Sequence, residues 1–148
     1  MRLKHTTISN KKGFTLVELM IVVIIIGILT AVGVPLYLGY VKDAKIGSAQ
    51  AVIGTIVNAE KVHHQKTGGF VAVANADFVA GPAGNDLKID VRDATQYWEL
   101  TVDNVVAATS FDVTAKGVAG TDYADTEVIL AYSIAADEAW TVDGAAWP

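Results

Sequence analysis

The hydrophobic positions of this 148-residue chain form three patterns, of which the first is a continuous apolar run. From Leu19 to Val41 there is no charged side chain, and the run begins LMIVVIIIGIL. About 20 apolar residues in a helix cross a hydrocarbon layer roughly 30 Å thick, since each residue adds about 1.5 Å. The run is therefore predicted to be a transmembrane helix. An ordinary secretory signal is disfavoured because its apolar region is only about 7 to 15 residues long.

The second pattern follows Pro35 and is that of an amphipathic helix. Apolar side chains recur at spacings of three and four, which places them on one face of the helix. They are Ile46, Ala49, Val52, Ile53, Ile56 and Val57. The polar surface of the helix is assigned to Lys42, Lys45, Gln50, Asn58 and Lys61. Gly68 and Gly69 are predicted to end the helix, because glycine favours the position just beyond a helix C-terminus.

The third pattern is a two-residue alternation towards the C-terminus. Residues 70–93 precede it and are rich in Gly, Ala, Asn and Asp, so they are predicted to form a long loop with little regular structure. Apolar and polar residues then alternate in three short runs, 97–102, 111–116 and 128–134. Residues 140–142 are predicted to add a short edge strand, closed by Asp143 and Gly144. These elements predict an α+β fold, in which a long N-terminal helix packs against a small antiparallel sheet.

Charge is distributed unevenly between the two ends of the chain. Four basic residues precede Gly13, and all sixteen acidic residues follow it. The four are Arg2, Lys4, Lys11 and Lys12. By the positive-inside rule, this bias predicts an N-terminus on the cytoplasmic side of the membrane. Loss of residues 1–13 would leave seven basic against sixteen acidic side chains, a net charge of −9, so nucleic-acid binding through bulk charge is not expected.

The segment from Lys11 to Leu29, KKGFTLVELMIVVIIIGIL, resembles the type IV pilin family and its pseudopilin relatives. A basic leader ends in glycine, and a phenylalanine, a carboxylate four residues later and an apolar helix follow. The resemblance implies that a membrane peptidase cuts after Gly13 and methylates the new amino terminus at Phe14. It also implies a cytoplasmic leader peptide (residues 1–13), a transmembrane and filament-core helix (residues 14–41) and a soluble head (residues 42–148).

Glu18 is the residue of this segment that most needs an explanation, because a carboxylate inside a membrane helix is costly. By resemblance, its partner is the amino group of Phe14 in a neighbouring subunit, and this pair sets the register of assembly. A position among lipid headgroups and water is the alternative for Glu18. Gly27 and Pro35 match family positions at which the helix bends and stretches during assembly. Ordinary packing between membrane helices is the alternative for these two residues.

The resemblance implies a structural function for the chain, without enzymatic activity and without a cofactor. The expected partners are further copies of the chain in a helical filament, a prepilin peptidase/methyltransferase and, indirectly, an assembly ATPase and a platform protein. The precursor is expected in the inner membrane and the assembled subunit in a cell-surface pilus. A type II secretion pseudopilin, which builds a short periplasmic piston, is the nearest alternative. A membrane-anchored binding module that never polymerises is a more remote one.

Two further groups of polar residues are weaker candidates for binding. His63 and His64 are adjacent in a predicted helix and point about 100° apart, so solvated helix-end histidines are favoured over a metal site. Asp122, Asp125 and Glu127 form an acidic loop, and oxygen-rich loops of this kind can hold calcium. Calcium at this loop is an open alternative, and it would favour the pseudopilin interpretation.

The remaining sequence signals do not assign any chemistry. The chain has no cysteine, so neither a disulfide nor a thiolate metal site is available. Tyr37 and Tyr40 are expected in an interfacial aromatic belt, and stacking along a filament for electron transport is the alternative. The sequence has no nucleophile elbow, phosphate loop or paired metal signature, and no catalytic, cofactor-binding or metal-binding residue is assigned.

Overall fold

The computed structural model describes residues 13–106 and 108–146, except for the side chain of residue 137. Most of the predicted leader, with Arg2, Lys4, Lys11 and Lys12, lies outside the described residues. The chain divides into two units, Met1–Tyr40 and Val41–Pro148, and we call the second the head unit. One helix, α1 (Leu16–Thr67), begins in the first unit and ends in the second. The fold class is α+β, as predicted.

In the first unit, α1 is apolar on every side. All of its large hydrophobic side chains from Leu16 to Tyr40 are exposed, and this part of α1 is long and apolar enough to cross a membrane. Isoleucine and valine are only moderate helix formers in water. In lipid the backbone must satisfy its own hydrogen bonds, and a helix is the local structure that does so. The sequence and the exposure therefore agree with a helix built for an apolar environment.

In the head unit, α1 carries a buried stripe on one side. Ile53 and Ile56 have no exposed surface, and the rest of the predicted apolar face is buried as well, except for the half-buried Val52. The stripe continues to Glu60, which is fully buried and was not predicted to be so. Gly68 ends the helix with a φ of 82° and donates its N–H to the carbonyl of His64, as the glycine signal predicted.

The head unit contains one antiparallel sheet of five strands in the order β1-β2-β3-β4-β5. The strands are β1 (Trp98–Val106), β2 (Ser110–Gly117), β3 (Glu127–Ser133), β4 (Ala136–Val142) and β5 (Ala145–Ala146). The register aligns the predicted apolar positions across the sheet, since Leu100 pairs with Ala115 and Val113 pairs with Leu130. These side chains form one buried cluster with the stripe of α1.

The end of the sheet differs from the prediction. Residues 140–142 were expected to form a short edge strand, but β4 is seven residues long and pairs on both sides. The turn at Asp143 and Gly144 has φ angles of 51° and 78°, which suit a two-residue hairpin. The chain therefore returns after this turn, and β5 becomes the short outer strand.

The predicted unstructured loop, residues 70–93, is more regular than expected. It contains helix α2 (Asn75–Ala80), and helix α3 (Arg92–Thr95) begins near its end. Phe78 of α2 is fully buried, and the Oδ1 atom of Asn75 accepts the N–H of Leu100 at 3.0 Å. Buried Asn85 bridges the loop by donating to the carbonyls of Gly81 and Ile89. Short helices of this kind are held by tertiary contacts, so sequence periodicity does not reveal them.

Three lysines that were assigned to the polar surface of α1 contact side chains in the sheet or directly beside it. The Nζ atom of Lys61 lies 2.8 Å from Glu138 of β4, and that of Lys42 lies 3.3 Å from Asp143. Lys45 places its ammonium 4.0 Å from the ring centroid of Tyr97. Each exposed pair contributes little stability, about 1 kcal/mol at most. Together they cover the edges of the buried stripe with aliphatic stems and charged ends.

Ile53→Ala tests the packing of the stripe. We expect it to lower the free energy of unfolding of the head unit by about 2 to 5 kcal/mol, because the cavity would form at a site with no exposed surface. Denaturant titration of the full chain in detergent micelles, followed by tryptophan fluorescence, measures this change. Val62→Ala is the control on the same helix, since Val62 is exposed and its truncation should change stability by less than about 0.5 kcal/mol. Equal effects of the two variants would contradict the packing described here.

Candidate functional site

The first turn of α1 is closed by a reciprocal pair of side chains. Thr15 precedes the helix, and its Oγ1 atom accepts the N–H of Glu18 at 3.2 Å. The Oε2 atom of Glu18 accepts the N–H of Thr15 at 2.8 Å and the hydroxyl of Thr15 at 2.7 Å. This arrangement is a capping box, which satisfies amide groups that have no partner inside the helix. The negative carboxylate also lies at the positive end of the helix dipole.

The capping box gives Glu18 a function within a single chain. Both hydrogen bonds to the carboxylate use Oε2, and Oε1 accepts none from the described residues. Within the part of the chain that the structure describes, Glu18 also forms no ion pair. One oxygen is therefore engaged in capping, while the other is open to a second donor.

Thr15 is a functional residue that the sequence interpretation overlooked. The signal was present, because Thr15 and Glu18 have the spacing of a threonine followed by a glutamate three residues later, just before an apolar run. The cap explains why α1 begins at Leu16.

The predicted processing residues lie just before this cap. Gly13 and Phe14 precede the helix, and 82% of the Phe14 side chain is exposed. A methyl group built at Gly13 would meet no atom of the described residues within 4 Å. The structure thus brings Gly13, Phe14, Thr15 and Glu18 into one short exposed segment at the start of the helix.

The helix is continuous at the positions predicted to give it flexibility. Gly27, Gly33 and Pro35 all lie inside α1, and none of them ends it. Pro35 has no N–H to donate, so the carbonyl of Ala31, four residues earlier, loses its usual partner. A Cβ at either glycine would have open space around it, which leaves room for a neighbouring helix to approach closely.

The two adjacent histidines are separated by their contacts. The Nδ1 atom of His63 lies 3.0 Å from the carbonyl oxygen of Gly69, and the ring of His64 stacks on Phe70 with centroids 4.5 Å apart. Both side chains are half-buried, so these helix-end histidines are less exposed to solvent than expected. Their divergence was predicted from helix geometry, and each ring supports the turn that follows α1.

The carboxylates of the acidic loop do not form a metal site in the described residues. Asp122 and Asp125 are exposed, and the Asp143 carboxylate accepts the N–H of Glu127 at 2.9 Å. Among residues 13–106 and 108–146, no three His, Asp or Glu side chains converge as metal ligands would. Tyr37 and Tyr40 are both exposed on α1.

A comparison with known protein families identifies the same N-terminal segment. Residues 8–34 match the family described as the prokaryotic N-terminal methylation motif. The type IV major fimbrial protein FimA of Dichelobacter nodosus is 45% identical over 51 residues, which cover 34% of this chain and 33% of FimA. The type IV major pilin protein PilE1 of Neisseria gonorrhoeae is 54% identical over 39 residues, which cover 26% of this chain and 24% of PilE1.

The similarity extends further in one other relative. The fimbrial protein EcpC of Eikenella corrodens is 36% identical over 78 residues, which cover 47% of this chain and 51% of EcpC. The chain spans only about a third of the length of the first relatives, at 33% of FimA. No solved structure gives a significant match. The capped N-terminus thus lies in the matched region, whereas most of the sheet lies beyond it.

Thr15→Val tests the cap separately from the charge of Glu18. The substitution keeps the shape of the side chain but removes the hydroxyl, so we expect about fivefold faster amide exchange in the first turn of α1. Hydrogen exchange of the full chain in micelles measures it. Thr15→Ser keeps the hydroxyl and serves as the control with wild-type protection. Unchanged exchange in Thr15→Val would show that the cap does not stabilise this turn.

Proposed function

We propose that this chain is a member of the type IV pilin family, which its N-terminal segment resembles, and that it is a structural subunit of a pilus filament. The observation that carries the proposal is the capped, apolar N-terminus of α1, in the region matched by fimbrial and pilin proteins. The precursor would lie in the inner membrane with its basic leader in the cytoplasm. After cleavage, the helices would form the filament core and the acidic head units its surface.

Cleavage after Gly13 is the first step of the proposal. Residues 13–15 are not helical, and among the described residues the space around Gly13 is open, as a peptidase cleft requires. Glycine has no Cβ and enters such a cleft in an extended conformation. Cleavage would make Phe14 the amino terminus and create a positive charge one residue before the capping box. The expected methyl transfer would keep that charge, since a secondary amine is still protonated at neutral pH.

Assembly is the second step, and it depends on packing more than on hydrophobicity. A membrane helix that joins other helices exchanges lipid contacts for protein contacts, so the hydrophobic term nearly cancels. The register must then come from specific groups. Glu18 uses one oxygen for its own cap, and the other would accept the Phe14 ammonium of a neighbouring subunit. A charge pair of this kind in an apolar core tolerates few alternative positions.

Movement of α1 is a third element of the proposal. Gly27 and Pro35 would allow the helix to bend or stretch between them when a subunit leaves the bilayer for the filament. Pro35 supports this role because it removes one backbone hydrogen bond from the ladder. Energy for extraction would come from an assembly ATPase acting through a platform protein, since helix association alone releases little.

A type II secretion pseudopilin is the second candidate, because it shares the leader, the cleavage site and the glutamate. The fimbrial names of the similar proteins in Dichelobacter nodosus and Neisseria gonorrhoeae support the pilus. Negative-stain microscopy of material sheared from cells distinguishes the two. Long fibres containing this chain are the expected result, whereas a secretion defect without fibres in cells lacking it would favour the pseudopilin.

Gly13→Leu tests the cleavage step. We expect the precursor to accumulate in the membrane with Met1 intact, because a branched side chain would obstruct the peptidase cleft. N-terminal sequencing should find Phe14 as the first residue of the wild-type protein. Gly47→Leu, at an exposed glycine inside α1, is the control and should be processed normally. Normal maturation of Gly13→Leu would refute the assignment.

Glu18→Gln tests the charge pair. Glutamine also completes a capping box, so this variant keeps the helix start and loses only the negative charge. We expect normal processing but at least tenfold fewer fibres in sheared fractions. Thr15→Val is the matched comparison, because it weakens the cap and keeps the charge, and it should assemble better than Glu18→Gln. Wild-type fibre yield from Glu18→Gln would exclude a register role for the carboxylate.

A further inference from the structure

Glu60 is the only acidic or basic side chain that is fully buried in the described part of the chain. It follows Ile53, Ile56 and Val57 on the buried stripe of α1, where the helical spacing leads one to expect an apolar residue. Its stem packs in the core of the head unit and its carboxyl group is enclosed there. Such a position is costly for a charge, and neither the cleavage step nor the assembly step uses it.

The carboxyl group of Glu60 holds one segment of backbone against α1. Its Oε2 atom accepts the N–H of Val71 at 3.1 Å. Val71 lies in residues 68–73, a segment that we call the strap, which leads from the end of α1 towards the sheet. Its other end is paired with β1 through two backbone hydrogen bonds between Val73 and Val102. Glu60 therefore fixes Val71, in the middle of the strap, to the helix, while His63 and His64 contact Gly69 and Phe70 before it.

The other oxygen of Glu60 is unsatisfied. Oε1 is buried and has no hydrogen-bond partner among the described residues. An ionised carboxylate would therefore be held by a single N–H, which is too little to replace its hydration. Burial raises the pKa of Glu60 to about 7, although the Val71 hydrogen bond and the charge of His63 act in the opposite direction.

The titratable side chains around Glu60 have partners other than its carboxyl group. On α1, the His63 ring contacts the Gly69 carbonyl, the His64 ring stacks on Phe70, and the Lys61 ammonium pairs with Glu138. The strap itself, GGFVAV, has no titratable side chain. On the sheet side, the titratable Tyr132 of β3 contacts Phe70 and Lys61. Within the described residues no cation forms an ion pair with Glu60.

We propose that Glu60 is a proton-operated clamp, which holds the strap on α1 when protonated and releases it when ionised. In the open strap the carboxylate would reach water and regain its ordinary acidity, near 4.5. The closed form thus binds the proton more tightly than the open form. The clamp is fully effective below about pH 4.5, weakens as the pH rises, and reaches a constant low level above about pH 7.

Opening of the strap would change the surface of the head unit. Phe70 packs on Phe111 with ring centroids 4.7 Å apart, so it would lose this contact as the strap moves. Phe70 and Tyr132 also line a shallow cavity of about 190 Å³, which would widen. The proposal concerns the head unit alone and holds whether or not the chain polymerises.

Hydrogen exchange of the full chain in detergent micelles at pH 5 and pH 8 tests the clamp. After correction for the intrinsic pH dependence of exchange, we expect the opening constant of residues 68–73 to rise on the order of 50-fold in the wild type. Glu60→Gln keeps an acceptor for Val71 but cannot ionise, so its opening constant should be equal at both pH values. Glu138→Gln, at an exposed carboxylate, should keep the wild-type response.

Two results would overturn the clamp. One is an equal opening constant at pH 5 and pH 8 in the wild type, and the other is the same 50-fold rise in Glu60→Gln, which retains His63 and His64. If Glu60→Gln does not fold, carbon-13 NMR titration of the wild-type glutamate carboxyl groups decides. A carboxyl that titrates near 7 supports the clamp, and titration of all of them near 4.5 excludes it.

Discussion

The head unit depends on one packing interaction, in which the stripe of α1 is buried against the apolar face of the sheet. Ile53 and Ile56 of the helix and Leu100 and Val113 of the sheet have no exposed surface. The register of the strands is tied to this contact, because a shift by one residue would turn every apolar side chain of a strand to the other face. The strap, the short helices and the lysine contacts are arranged around this packed layer.

The same helix meets a different constraint before residue 41. Its side chains there are apolar on all sides and exposed, so this part is suited to lipid or to other helices. The one charged side chain of this part, Glu18, lies in the first turn, where it and Thr15 cap the helix. In the proposed filament, the local cap and the contact between subunits would share this one carboxylate. The open Oε1 atom is what makes sharing compatible with the geometry.

Glu60 shows the opposite use of a carboxylate. The Glu18 carboxylate is exposed at a helix start and accepts two hydrogen bonds, whereas the Glu60 carboxyl group is buried in mid-stripe and accepts one. An apolar residue at position 60 would pack the core at lower cost, but it would leave the N–H of Val71 without a partner. The carboxyl group thus joins the helix to the strap, but its Oε1 atom stays buried without a hydrogen-bond partner. This unsatisfied atom makes the contact sensitive to protonation.

Periodicity and local chemistry were enough to predict much of this chain. The apolar run, the stripe ending near Gly68 and the strands from Trp98 onwards could be predicted because spacing alone sets which side chains share a face. The other features follow from long-range contacts. Helix α2, the burial of Glu60 and the second pairing of β4 depend on residues distant in the chain, and short-range patterns contain no information about such contacts.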